Sequence, residues 1–199
     1  MSKRLYVAYG SNLNIEQMTN RCPGAKLYGT GVIENFELQF KGKALGAFAT
    51  IAPKDGASVP VAVWEISKQN EQALDRYEGY PSHYFKQDVP VQLDGSEVTA
   101  MVYIMNLKMD FGLPSSYYYD IVREGYEDCG LDTAVLEQAL RESTRQFYCS
   151  PRPHKESFFR LENDADPDAD EQEEDDDSEL DEDEPEQDET DPFYFSGGM

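Results

Sequence analysis

Twenty of the 40 acidic residues of this 199-residue chain lie between Glu162 and Asp191, and no lysine or arginine follows Arg160. A segment that repels itself and holds almost no large apolar side chain cannot offset the entropy of ordering, so residues 161–199 are expected to be a disordered acidic arm. The remaining acids and all 17 bases fall in residues 1–161, which carry a net charge of only −3, against −23 for the whole chain. Residues 1–160 are therefore expected to form one ordinary, near-neutral globular domain. The body shows no basic stripe for phosphate, which argues against a nucleic-acid partner. No apolar run is long enough for a secretory signal core or a membrane span, so a cytosolic protein is expected. Cys22, Cys129 and Cys149 show no metal-ligand spacing and are expected to be free thiols.

The order of hydrophobic patterns sets the fold class. Arg4–Tyr9 alternates like a strand and runs into Gly10-Ser11-Asn12. Asn14 suits the cap of a short helix that starts at Ile15, turns Met18 inward and stops before Pro23-Gly24. Lys26–Lys41 returns to strand type, with Gly29 and Gly31 as bend points. Gly46–Pro53 and Val59–Ile66 read as two strands separated by the turn-rich Lys54-Asp55-Gly56-Ala57. Ser67 caps a helix through Leu74 and Tyr77 that Gly79 and Pro81 end. Tyr84–Leu93 and Val98–Met105 flank Asp94-Gly95, a hairpin signal. Pro114-Ser115 opens a helix closed by Cys129-Gly130, and Asp132 caps a last helix with Val135, Leu136, Ala139 and Leu140 on one face. Strands mostly first and helices mostly last, with a short helix after the first strand and another inserted before the hairpin, point to a compact α+β domain and not to a doubly wound nucleotide fold.

Three segments carry residues suited to chemistry. Tyr9-Gly10-Ser11-Asn12 ends a strand, where glycine admits close approach and successive N–H groups can cradle an anion; it also reads as a plain strand-to-helix turn. Glu78 stands in the last turn of a predicted helix, where the helix dipole disfavours an ionised carboxylate. Burial among Tyr77, Tyr80 and Tyr84 would raise its pKa toward the range of a general base, whereas at the surface it would be a tolerated helix end. Asp75 is expected to face solvent or to pair with Arg76 or Lys68. Of the consecutive Tyr117, Tyr118 and Tyr119, at least one must present its hydroxyl to a pocket or to water. His83 reads as a turn residue and His154 as part of a proline-rich exit segment.

Together these segments resemble the γ-glutamylcyclotransferase family, which includes γ-glutamylamine cyclotransferases and AIG2-like proteins. The resemblance is carried by Leu5-Tyr6-Val7-Ala8-Tyr9-Gly10-Ser11-Asn12-Leu13, Gly46-Ala47-Phe48-Ala49-Thr50-Ile51 and Val61-Ala62-Val63-Trp64-Glu65-Ile66. It continues in Leu74-Asp75-Arg76-Tyr77-Glu78-Gly79-Tyr80, then Pro114-Ser115 with Tyr118 and Gly130-Leu131. It implies a small mixed β-barrel flanked by helices, a small-molecule γ-glutamyl substrate, and no metal or organic cofactor. The implied reaction is attack of the substrate's α-amine on its own side-chain carbonyl, giving 5-oxoproline and a free amine. Glu78 falls on the family's catalytic glutamate, Tyr6, Val7, Ala8, Tyr9, Gly10 and Ser11 on the loop that holds the glutamyl group, and Tyr118 on a tyrosine that reaches substrate. Asn12 completes the loop motif and is expected to shape the loop more than to touch substrate. A catalytically silent binding module of the same fold is the alternative. The acidic arm and its Phe193-Tyr194-Phe195 tip lie outside the resemblance. The arm is either a solubilising device or a contact for a protein partner or for its own domain, and Gly197-Gly198 is read as a flexible end and not as the Gly-Gly end of a small protein modifier.

Overall fold

A computed structural model describes residues 3–106 and 108–150; the acidic arm, its aromatic tip and His154 lie outside the described residues. Among the described residues, five strands and four α-helices run as β1 (Lys3–Ala8), α1 (Ile15–Arg21), β2 (Lys26–Lys41), β3 (Phe48–Ser67), α2 (Lys68–Glu78), β4 (Tyr84–Leu93), β5 (Ser96–Met105), α3 (Ser116–Asp128) and α4 (Ala134–Cys149). The strands close into a mixed barrel in the order β1-β3-β2-β4-β5. All neighbours are antiparallel except the closing pair, where Tyr6 and Val7 of β1 lie opposite Met101 and Val102 of β5 in parallel. That closure places the end of β1 beside the end of β5, although about a hundred residues separate them.

Local sequence chemistry sets the boundaries. The Asn14 side chain accepts from the Gln17 N–H at 3.0 Å and starts α1. Ser67 and Asn70 form a reciprocal capping box at the start of α2, and Gly79 ends that helix at φ 64°. Asp94 and Gly95, both at positive φ, join β4 to β5 in a two-residue hairpin, the pattern a type I′ turn demands. The Asp132 carboxylate accepts from the Ala134 N–H at 2.9 Å and opens α4.

The Lys54–Ala57 segment differs from its sequence reading. Phe36 pairs with Pro53 and Glu34 with Ser58, so four residues of β3 bulge opposite the single Asn35 of β2. Pairing then resumes against the same neighbour in the same direction, and the two expected strands are one of 20 residues. Asn35 pins the excursion, since it sits at φ 61° and accepts from the Gly56 N–H at 3.0 Å. Turn residues here serve a bulge, which needs the same φ freedom as a chain reversal.

The core fills the barrel and the layer beneath its helices. Consecutive residues Tyr6, Val7 and Ala8, and all of Ala100–Met105, are buried, so these strands have one face inside the barrel and the other covered. Gly31 is needed where β2 crosses β4. A Cβ there would lie 2.2 Å from the Gln92 carbonyl oxygen and 2.6 Å from Leu93 Cδ2. Gly31→Ala is expected to destabilise the barrel by about 1–3 kcal/mol, the usual cost of overpacking, read as a lower urea midpoint with an unchanged slope. Among the described residues no helix is long and apolar enough to cross a membrane.

Candidate functional site

Where the barrel closes, the Tyr9–Asn12 turn leaves β1 and meets the end of α2. Around this junction lies a small cavity of about 30 Å³, lined by Tyr6, Tyr9, Gly10, Ser11, Asn12, Ala49, Glu78, Tyr84, Tyr103 and Tyr118. A wider cleft of about 520 Å³ shares Ser11, Glu78, Tyr84 and Tyr118 with it and adds Lys43, Phe48, Arg76, Tyr77, His83, Met105 and Met109. The arrangement is a tight polar end that takes a few atoms, opening into a larger and more apolar mouth. Among the described residues no cluster of histidine, cysteine and acidic side chains is placed to hold a metal ion.

Among the described residues, Glu78 is the one acid lining either space. It ends α2, where the helix dipole disfavours its charge, and burial pushes its carboxyl up to about 7 from an ordinary 4.5. The Arg21 guanidinium and the Asn12 amide pull the other way and keep the value within reach of neutral pH. The Asn12 Nδ2 group donates to Glu78 Oε1 at 3.1 Å and to the Tyr6 hydroxyl at 2.7 Å. Arg21 Nη1 donates to Asn12 Oδ1 at 2.6 Å and to Ser11 Oγ at 3.0 Å, which fixes the amide so that its N–H₂ faces the carboxylate. The guanidinium lies 3.8 Å from the Tyr77 ring centroid, so it bridges α1 to the last turn of α2.

The five tyrosines of the small cavity divide by what they do with their protons. Tyr9 donates to the Tyr103 carbonyl at 2.6 Å, Tyr84 to the Ala49 carbonyl at 3.3 Å, and Tyr103 to Asp75 Oδ1 at 2.6 Å. Tyr6 and Tyr118 instead accept, from Asn12 and from the Ala49 N–H at 3.1 Å. A phenol that accepts one bond still has its proton to give, so Tyr6 and Tyr118 are the two of the five that line the cavity with a proton still to donate. Burial, with the Glu78 charge adding to it, raises all five hydroxyls above their ordinary pKa and keeps them neutral donors.

The structure brings Tyr6, Tyr9, Gly10, Ser11, Asn12, Tyr118 and Glu78 to one cavity. Val7 and Ala8 do not line it; they are buried in the barrel wall. Two local expectations change. Tyr77 and Tyr80 are 50% and 42% exposed, so the aromatic burial of Glu78 comes from the barrel and α3. Asp75 pairs with neither Arg76 nor Lys68; it accepts from Lys86 Nζ at 2.7 Å and from Tyr103. Asn12, expected to shape the loop, also donates to the Glu78 carboxylate. Tyr117 is solvent-exposed and Tyr119 packs on Phe40, leaving Tyr118 as the tyrosine of that run that enters the pocket.

Sequence reasoning passed over Arg21 and Tyr103. A signal existed for Arg21, because Gln17 and Arg21 share a helix face and helical side chains lean toward the N-terminus, here back over the Ser11-Asn12 turn. None existed for Tyr103, which reaches the site through barrel closure alone.

Residues 6–121, which span the Tyr6–Asn12 loop, Glu78 and Tyr118, match the family model described as gamma-glutamyl cyclotransferase, AIG2-like. The Homo sapiens gamma-glutamylcyclotransferase is 35% identical over 143 residues, 67% of this chain and 76% of its own length. The Bos taurus gamma-glutamylcyclotransferase is 33% identical over 139 residues, 64% of this chain and 72% of its own. A solved structure of a gamma-glutamyl cyclotransferase superposes with a TM-score of 0.61 at 28% identity, covering 77% of this chain and 92% of the other. The match of the family model across residues 6–121, with the 35% identity to the Homo sapiens protein over 67% of this chain, places the chain in the gamma-glutamyl cyclotransferase, AIG2-like family.

Proposed function

We propose that the protein cleaves a γ-glutamyl amide by attack of the substrate's α-amine on its own γ-carbonyl, releasing 5-oxoproline and a free amine or amino acid. The observation that carries this reading is the Glu78 carboxyl, raised to about 7 at the junction of the tight cavity and the wide cleft. The α-ammonium must lose a proton before it attacks, and the departing nitrogen must gain one. A single carboxylate poised near neutrality does both in turn, as base and then as acid.

The remaining chemistry is geometric. Ring closure is intramolecular, so the protein's task is to hold the reacting conformer. A cavity of about 30 Å³ admits the reacting end of the substrate and little else, while the wide cleft receives the rest. The nitrogen forms its bond to the γ-carbon, the carbonyl oxygen becomes an oxyanion, and the original amide C–N bond breaks as Glu78 returns the proton to the leaving nitrogen. Neutral hydroxyls of Tyr6 and Tyr118 and the N–H groups of the Gly10-Ser11 turn supply donors for the oxyanion and for the substrate carboxylate. Gly10 belongs to this arrangement because a Cβ there would stand 3.3 Å from the Tyr118 hydroxyl oxygen, in the space a ligand needs.

The test is incubation of the full chain with γ-glutamyl amino acids, γ-glutamylamines and γ-glutamyl isopeptides, with 5-oxoproline as the readout. Stoichiometric 5-oxoproline and free amine from at least one class are expected. Silence across the panel, with a γ-glutamyl compound still bound, would make the protein a binding module.

A further inference from the structure

Helix α2 is held to the barrel unevenly. Its buried side chains are Asn70 and Leu74, both before the last turn, and Arg76 and Tyr77 are exposed. Glu78 therefore stands beyond the last apolar anchor of its own helix. What holds that turn is polar. Lys86 of β4 places Nζ 2.6 Å from Glu71 Oε1 and 2.7 Å from Asp75 Oδ1, with the lysine and Glu71 side chains only 17% and 19% exposed. The same ammonium lies 4.7 Å from the centroid of the Tyr80 ring. Lys86 thus grips the chain three residues before Glu78 and two residues after it.

The cluster extends toward the site and away from it. Asp75 also accepts from the Tyr103 hydroxyl, and the Tyr103 ring meets Tyr6 edge-on at 5.8 Å. Tyr6 shares the Asn12 amide with Glu78. On the outer side Arg4 binds Glu71 and Asp88, each at 2.9 Å. The helix-surface pairs Arg123–Asp120 and Arg141–Glu137, with side chains 46–68% exposed, are of the kind that contributes little. The Lys86 cluster is better enclosed and ties α2 to β1, β4 and β5.

We propose that Lys86 is a positioning residue for Glu78, its ammonium clamping the last turn of α2 against the β4–β5 hairpin and so fixing where the carboxylate stands. This rests on the cyclisation reading for its catalytic consequence, but not for its structural one. A misplacement on the order of 1 Å at a proton-transfer group costs up to ~100-fold in rate without a matching loss of binding. The effect should therefore fall on kcat.

The test uses the full chain with Lys86→Met, Lys86→Arg, and the charge-balanced double variant Lys86→Met with Asp75→Asn in case the single change does not fold. For both methionine variants kcat is expected to fall roughly 10- to 100-fold with KM within about threefold, and Lys86→Arg to stay within about fivefold of the parent. Backbone amides of Glu78, Gly79 and Tyr80 are expected to exchange hydrogen about tenfold faster in the methionine variants, with those of Val63 and Met101 in the barrel unchanged. Parent-like exchange at those three amides, or a kcat within about twofold of the parent, overturns the clamp. A parent chain inert toward γ-glutamyl compounds overturns the cyclisation reading instead and leaves hydrogen exchange to decide the clamp.

Discussion

Glu78→Gln is expected to abolish 5-oxoproline release, lowering kcat/KM by at least about 10³-fold, while circular dichroism stays that of the parent. The amide still accepts from Asn12 Nδ2, so the local geometry survives, but it can neither take the proton of the attacking amine nor return it. The same change is expected to stabilise the protein at alkaline pH. Folding raises the Glu78 carboxyl from 4.5 to about 7, so between those values the folded chain holds a proton that the unfolded chain has released. Stability from this group is then greatest below pH 4.5, falls as pH rises, and is fully lost above about 7. Glutamine removes the penalty. The variant should resist urea better than the parent at pH 8, by at most about 3 kcal/mol, with the gain shrinking toward pH 5. A site that costs stability to keep its acid is what a working residue looks like, and a merely structural glutamate would show the opposite sign.

A large loss of stability is also expected from Gly125→Ala. Gly125 lies in α3 against the segment that follows the Tyr9–Asn12 turn. A Cβ there would fall 2.4 Å from the Asn14 nitrogen, 2.7 Å from the Leu13 carbonyl carbon and 2.7 Å from Leu13 Cβ. Two of the three obstacles are backbone, so no rotamer change relieves the contact and α3 must move away from the loop. The neighbouring Val122 and Tyr126 are wholly buried, which resists that movement. Destabilisation of about 3 kcal/mol or more is expected by urea titration, at the upper end of overpacking costs. Where the variant still folds, activity should fall at least about tenfold, because Leu13 and Asn14 directly follow the residue that orients Glu78. A variant as stable and active as the parent would show that α3 does not brace this loop.

Local signals were legible where a single residue type is required by backbone geometry. Asn14, Ser67 and the Asp94-Gly95 pair mark a helix start, a second helix start and a hairpin in the sequence, and each does so in the structure. The candidate residues also converge, since the loop motif, Glu78 and Tyr118 meet at one cavity although more than a hundred residues separate the first from the last. What the residues did not disclose depends on tertiary closure. Lys54-Asp55-Gly56-Ala57 has turn chemistry, and only the renewed pairing of β3 with β2 makes it a bulge. Asp75 has charged neighbours in sequence, yet it binds Lys86 because the barrel carries β4 beneath α2. Tyr103 enters the site through the parallel β1–β5 pairing, a contact that no local pattern announces.

The most direct measurement is the pH dependence of kcat/KM for 5-oxoproline release by the full chain. If Glu78 must be ionised to accept the proton, activity should fall tenfold per pH unit below a midpoint of about 7 and level off above it, until the substrate amine itself begins to titrate. A midpoint near the ordinary carboxylate value of 4.5, or a profile flat from pH 5 to 8, would contradict Glu78 as the base.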